Sequence, residues 1–161
     1  MERFDELIDR LLEQQYHVID ILPDQVKDCR GQFFAAEDFF RTPERLRPIR
    51  SKFANIILKL NCYYDIEVCF FQGGTWDGEW ERNPDPSKLA DSIISMPDNC
   101  MVRVLIESGS DADVDEGATT GSVRAMIDID GCDIYMTLYG GDDELLGRVE
   151  ALAKAEGLFV R

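Results

Sequence analysis

Ser122-Val-Arg-Ala-Met-Ile-Asp-Ile129, Asp130-Gly131 and Cys132-Asp-Ile-Tyr-Met-Thr-Leu-Tyr139 form the stretch on which the fold turns. Both arms are rich in β-branched and aromatic residues, which fit a pleated surface. Asp-Gly between them tolerates positive φ and so suits a two-residue type I′ turn. Strands joined that tightly run antiparallel. Cys100-Met-Val-Arg-Val-Leu-Ile106, just upstream, is a further strand, so the expected sheet is mostly antiparallel.

Helices flank this core on both sides in sequence. Phe4, Leu7, Ile8, Leu11 and Leu12 recur at helical spacing and stack on one face. Tyr16 to Leu22 reads as a strand stopped by Pro23-Asp24. Thr42-Pro43-Glu44 is a helix start, and Pro48 is expected to break or kink it. A short turn followed by a helix from about Pro48 to Cys62 is therefore predicted, with Ile49, Phe53, Ile56, Ile57 and Leu60 on its buried face. Asp65 to Phe71 is a central-looking strand, and Asp85-Pro86 opens a helix carrying Leu89, Ile93 and Ile94. A last helix presents Leu145, Leu146, Val149 and Leu152, ends at Gly157 as the C′ residue, and leads to a strand at Leu158–Val160. Gln32 to Phe40 stays open between strand and helix, because the doublets Phe33-Phe34 and Phe39-Phe40 fit neither period. The order α-β-α-β-α-β-β-β-α-β describes one α+β domain over residues 1–161, with amphipathic helices packed on the sheet.

Length and composition agree with that class. At 161 residues and 45% hydrophobic content, the chain can bury a core without staples. The net charge of −15 repels phosphates and argues against wrapping nucleic acid. No apolar run approaches the roughly 18 residues of a membrane span, and the charged N-terminal stretch has no signal-peptide core. Cys29, Cys62, Cys69, Cys100 and Cys132 are odd in number and contain no C-x-x-C pair, which points to a reduced, cytoplasmic setting.

Metal and catalytic signals are sparse. Asp111, Asp113 and Asp115 alternate like the start of a calcium loop, but Glu116 and Ser122 stand where such a loop needs Gly and Glu. A solvated acidic connection is the simpler reading, and neither metal nor cofactor is expected. His17, the sole histidine, would have to serve any Cys–His mechanism, with Cys69 the geometrically available thiol. A half-buried structural histidine is the commoner outcome. Asp65 and Glu67 share a face and would do acid/base work only if burial shifted one of them.

The richest segment is Gln72-Gly-Gly-Thr-Trp76-Asp-Gly-Glu-Trp80-Glu-Arg-Asn83, which holds both tryptophans. Trp76, Trp80, Asp77 and Glu79, with Asp65 and Glu67, are candidate contacts for a ligand or partner. Inward-turned indoles that pin the loop to the core are the competing reading. Charge is also uneven. Residues 107–144 hold eleven acids and one base, whereas Arg41, Arg45, Arg47, Arg50 and Lys52 form a basic stretch with only Glu44 against them. Such bases are often just the solvated side of a helix. The sequence thus supports a non-catalytic interaction or regulatory protein docking on a protein partner through a dipolar surface. The alternative is a small enzyme or ligand binder with a carboxylate/tryptophan site at 65–83 that uses a divalent metal. Self-association into a homo-oligomer is a third option.

Overall fold

The computed structural model describes residues 2–27, 31–72, 78–107 and 123–161. Its elements are α1 (Glu2–Leu12), β1 (Tyr16–Asp20), α2 (Gly31–Phe40), α3 (Pro43–Leu60), β2 (Ile66–Gln72), β3 (Glu81–Arg82), α4 (Pro86–Ile94), β4 (Cys100–Glu107), β5 (Val123–Asp130), β6 (Met136–Gly140), α5 (Asp143–Ala155) and β7 (Phe159–Val160). The strands form one sheet in the order β3-β2-β4-β5-β6-β1-β7, antiparallel at every described pairing. The α+β expectation therefore holds, with α2 and β3 added to the predicted order.

Side chains alternate across the strands, so each face has its own cover. Val104, Ile127 and Leu138 lie on the face packed against α3, α4 and α5, where Phe53, Ile57, Ile93 and Val149 complete the main core. On the opposite face α1 sets Phe4, Ile8 and Leu11 against Leu105 and Met126. The predicted stripe of α1 is thus real, although Leu12 at its end is exposed. Among the described residues, no helix is long and apolar enough to cross a membrane.

Two expectations are corrected. Pro48 does not break the third helix, which runs unbroken from Pro43 to Leu60. Pro48 is exposed, so the carbonyl it leaves unbonded one turn earlier can turn to water. The buried row Leu46, Ile49, Phe53 and Ile57 continues past it.

The β5–β6 hairpin exists, but its connection is residues 131–135 rather than a two-residue turn. Ile129 pairs with Met136, so the two arms separate after that pair. Asp130 is instead drawn into register with Met101 of β4. The Gly131 N–H donates to the Cys100 carbonyl at 2.8 Å. Glycine is needed here for close approach, since a Cβ would meet the carbonyl oxygens of Pro97 and Cys100.

Candidate functional site

The chemistry-bearing side chains of the 65–83 region gather on the α1 face of the sheet. Cross-strand pairing aligns Glu67 with Leu105 and Cys69 with Arg103, and β5 continues these rows with Met126 and Asp128. Arg103 is 2% exposed and forms a fork with Asp128, both nitrogen–oxygen distances being 2.8 Å. Such a bidentate pair satisfies a buried cation and leaves the local charge near zero.

Arg82 on β3 reaches over the sheet edge to three acids. Its guanidinium stands 2.8 Å from Asp65, 2.8 Å from Glu107 and 4.0 Å from Glu67. Asn83 adds a hydrogen bond of 2.7 Å to Asp65 through its amide nitrogen and accepts one of 2.9 Å from the Ile66 N–H. Hydrogen bonds from Asn83 and Arg82 hold the Asp65 carboxyl below the usual carboxylate range. Asp65 is therefore a fixed carboxylate, the opposite of a group tuned to give and take protons near neutrality.

The rest of the segment divides. Trp80 packs its ring 4.9 Å from Phe4 and 6.4 Å from Phe71 and stays partly exposed. Glu79 is exposed. Trp76 and Asp77 lie outside the described residues, as do Asp111, Asp113 and Asp115. Among the described residues, no group of three or more His, Cys, Asp or Glu side chains could hold a metal ion. His17 pairs across the ladder with Leu138, on the main-core face, whereas Cys69 faces the other way. Strands β4, β5 and β6 also separate them, so a Cys69–His17 mechanism is excluded.

The basic stretch resolves into three environments. Arg50 is 5% exposed and donates to the carbonyls of Met96 and Gly131, with Asp98 at 3.7 Å. It belongs to the interior and not to the surface patch expected of it. A signal for this was present: Leu46, Arg50, Phe53 and Ile57 follow helical spacing along the apolar stripe. Lys52 reaches the turn after α5, where a Cβ on Gly157 would stand 3.7 Å from its Nζ.

Arg41, Arg45 and Arg47 remain on the surface beside α2. Arg41 pairs with Glu37 at 3.0 Å and approaches Asp133 at 3.8 Å. The Arg45 guanidinium lies 3.7 Å above the centre of the Phe39 ring and bonds the Thr42 hydroxyl at 3.1 Å. Helix α2 itself is Gly-Gln-Phe-Phe-Ala-Ala-Glu-Asp-Phe-Phe. Phe40 packs against the main core, and Phe33 is half-buried. Phe34 and Phe39 are each 51% exposed, with Ala35 and Asp38 exposed between them.

This aromatic helix was not legible as a site, because its doublets blur the helical period. Rings on its inner and outer flanks share one short segment. Compared with known protein families, characterised proteins and solved structures, the chain matches none.

Proposed function

We propose that the protein is a non-catalytic interaction or regulatory protein that docks on a protein partner through α2 and the neighbouring Arg41, Arg45 and Arg47. One observation carries this reading: a helix bearing four phenylalanines leaves two of them half in water, one of which, Phe39, lies under the Arg45 guanidinium. Burying the exposed halves of Phe34 and Phe39 is worth about 4–5 kcal/mol before the costs of association. The partner surface that fits offers apolar side chains to the two rings, a hydrogen-bond donor or cation to Asp38 between them, and carboxylates at its rim to meet the three arginines. The carboxylate/tryptophan alternative has less support, since Arg82 and Asn83 already engage Asp65 and Trp80 packs against Phe4.

The test is affinity capture at low and high salt by the native chain and by a Phe34→Ser/Phe39→Ser variant with the native circular dichroism spectrum. The expected result is a partner held by the native chain, weakened by salt and lost on the variant. A partner held equally by both proteins would place docking elsewhere.

A further inference from the structure

The sheet ends at β7 in an open ladder position. Val18 N–H donates to the Arg161 carbonyl at 2.8 Å, and Arg161 N–H donates to the Val18 carbonyl at 3.0 Å. Val18 and Arg161 are therefore a hydrogen-bonded pair, and the adjacent Ile19–Val160 pair is a non-bonded one. Ile19 turns its main-chain groups toward β6, where it pairs with Met136. The Val160 N–H and carbonyl consequently point out of the sheet, and among the described residues no strand lies beyond them. Such an edge is a template for another strand.

What lies beside this edge bears on which strand. An open cavity of about 410 Å³ separates the outer flank of α5 from β7, lined by Glu150, Lys154, Leu158, Phe159 and Val160. Glu150 and Lys154 are both exposed and one helical turn apart, an acid and a base on the same flank. Other acids nearby are already neutralised. Glu156 takes Lys59 at 2.6 Å, and Asp20 takes Arg161 at 2.7 Å. In a chain of net charge −15, this edge is thus a place where two acidic molecules can meet without strong repulsion.

The geometry points to a second copy of this chain on β7, joined about a twofold axis near Val160. A twofold makes every contact occur twice and requires a self-complementary surface. Here the Val160 N–H of each copy donates to the Val160 carbonyl of the other, in antiparallel pairing. The two α5 helices then run antiparallel on the same side of the joined sheet. Glu150 of each copy faces Lys154 of the other. This surface is separate from α2 and does not rest on the docking reading above.

Sedimentation equilibrium over micromolar to millimolar concentrations tests it, with the mass expected to climb from 18.4 kDa toward twice that value. Val160→Pro removes only the outward N–H and leaves the bonds of Arg161 to β1 in place, so the variant should fold and stay monomeric. Glu150→Lys and Lys154→Glu should each weaken the dimer roughly tenfold, because each reversal creates two like-charge contacts. The combined exchange Glu150→Lys/Lys154→Glu should restore it, and this series decides the matter even if the proline variant does not fold. Phe34→Ser/Phe39→Ser should dimerise like the native chain. A native chain monomeric throughout, a dimer indifferent to the charge reversals, or a dimer lost with the phenylalanine pair would each overturn the proposal.

Discussion

A guanidinium removed from water needs an acceptor for each N–H it can supply, because an uncompensated buried cation is costly. Arg50 meets that need only in part, with the Met96 and Gly131 carbonyls, while its buried Nε has no partner among the described residues; burial pulls its pKa down against the pull of Asp98. It thereby ties α3 to the connection before β4 and to the β5–β6 connection. Arg50→Ala strands those carbonyls and opens a void, and should cost about 3–5 kcal/mol. For a domain of this size a thermal melt should register a loss of roughly 6–20 °C. Tyr135 makes a prediction at the alkaline end. Burial and the adjacent Asp133 carboxylate push its hydroxyl up to about 12. Its unfolded value is about 10, so above that pH the unfolded chain gives up this proton first. The Tyr135 contribution to stability is complete below about pH 10 and is lost as pH climbs toward 12. Melts of Tyr135→Phe should fall less steeply over that window than those of the native chain; parallel curves would refute the assignment. The helical spacing of Arg50 showed that it lies on the buried face, but not which carbonyls it would meet, since Met96 and Gly131 lie in connections far from it in sequence. The Tyr135–Asp133 contact is local, but the burial that raises the hydroxyl was not readable.

Elements were more legible than the contacts between them. Apolar spacing located α1, α4 and α5, and Asp85 and Asp142 do cap their helices, accepting from the N–H groups of Lys88 and Leu145. Gly157 takes the positive φ of 72° foreseen for a C′ residue. The failures have physical causes. A proline rule written for isolated helices missed α3, where the continuous buried row outweighs one lost hydrogen bond. Pro48→Ala should accordingly stabilise the protein by about 1–3 kcal/mol, seen as a higher denaturant midpoint at unchanged slope. An unchanged or lower midpoint would mean the ring contributes packing that offsets the bond. Of the 65–83 candidates, the shared face of Asp65 and Glu67 was readable from alternation. Their common tie to Arg82 was not, because it requires β3 to fold back beside β2.

At the scale of the molecule, charge decides how the fold responds to solvent. A net charge of −15 on a small domain is self-repulsive, and salt shortens the reach of that repulsion. Raising ionic strength from about 0.01 M to about 0.15 M cuts the Debye length from roughly 30 Å to 8 Å. The melting temperature should rise over that interval in scanning calorimetry. A fall would mean that local pairs such as Arg82 with its three acids outweigh the global term. The sign of the overall charge was plain in composition, but the strand order was not, because local pattern carries no long-range pairing. That order also governs when the protein can assemble. β1 sits between β6 and β7, so of the described strands its second partner is made after all the others. Asp20 waits for Arg161 across a separation of 141 residues. At about 5–20 residues per second, a ribosome takes roughly 7–28 s to span that interval. For most of that time β1 has no ladder at all, and once β6 is made it has one on one side only, so Ile19, fully buried in the finished fold, spends the interval without its full cover.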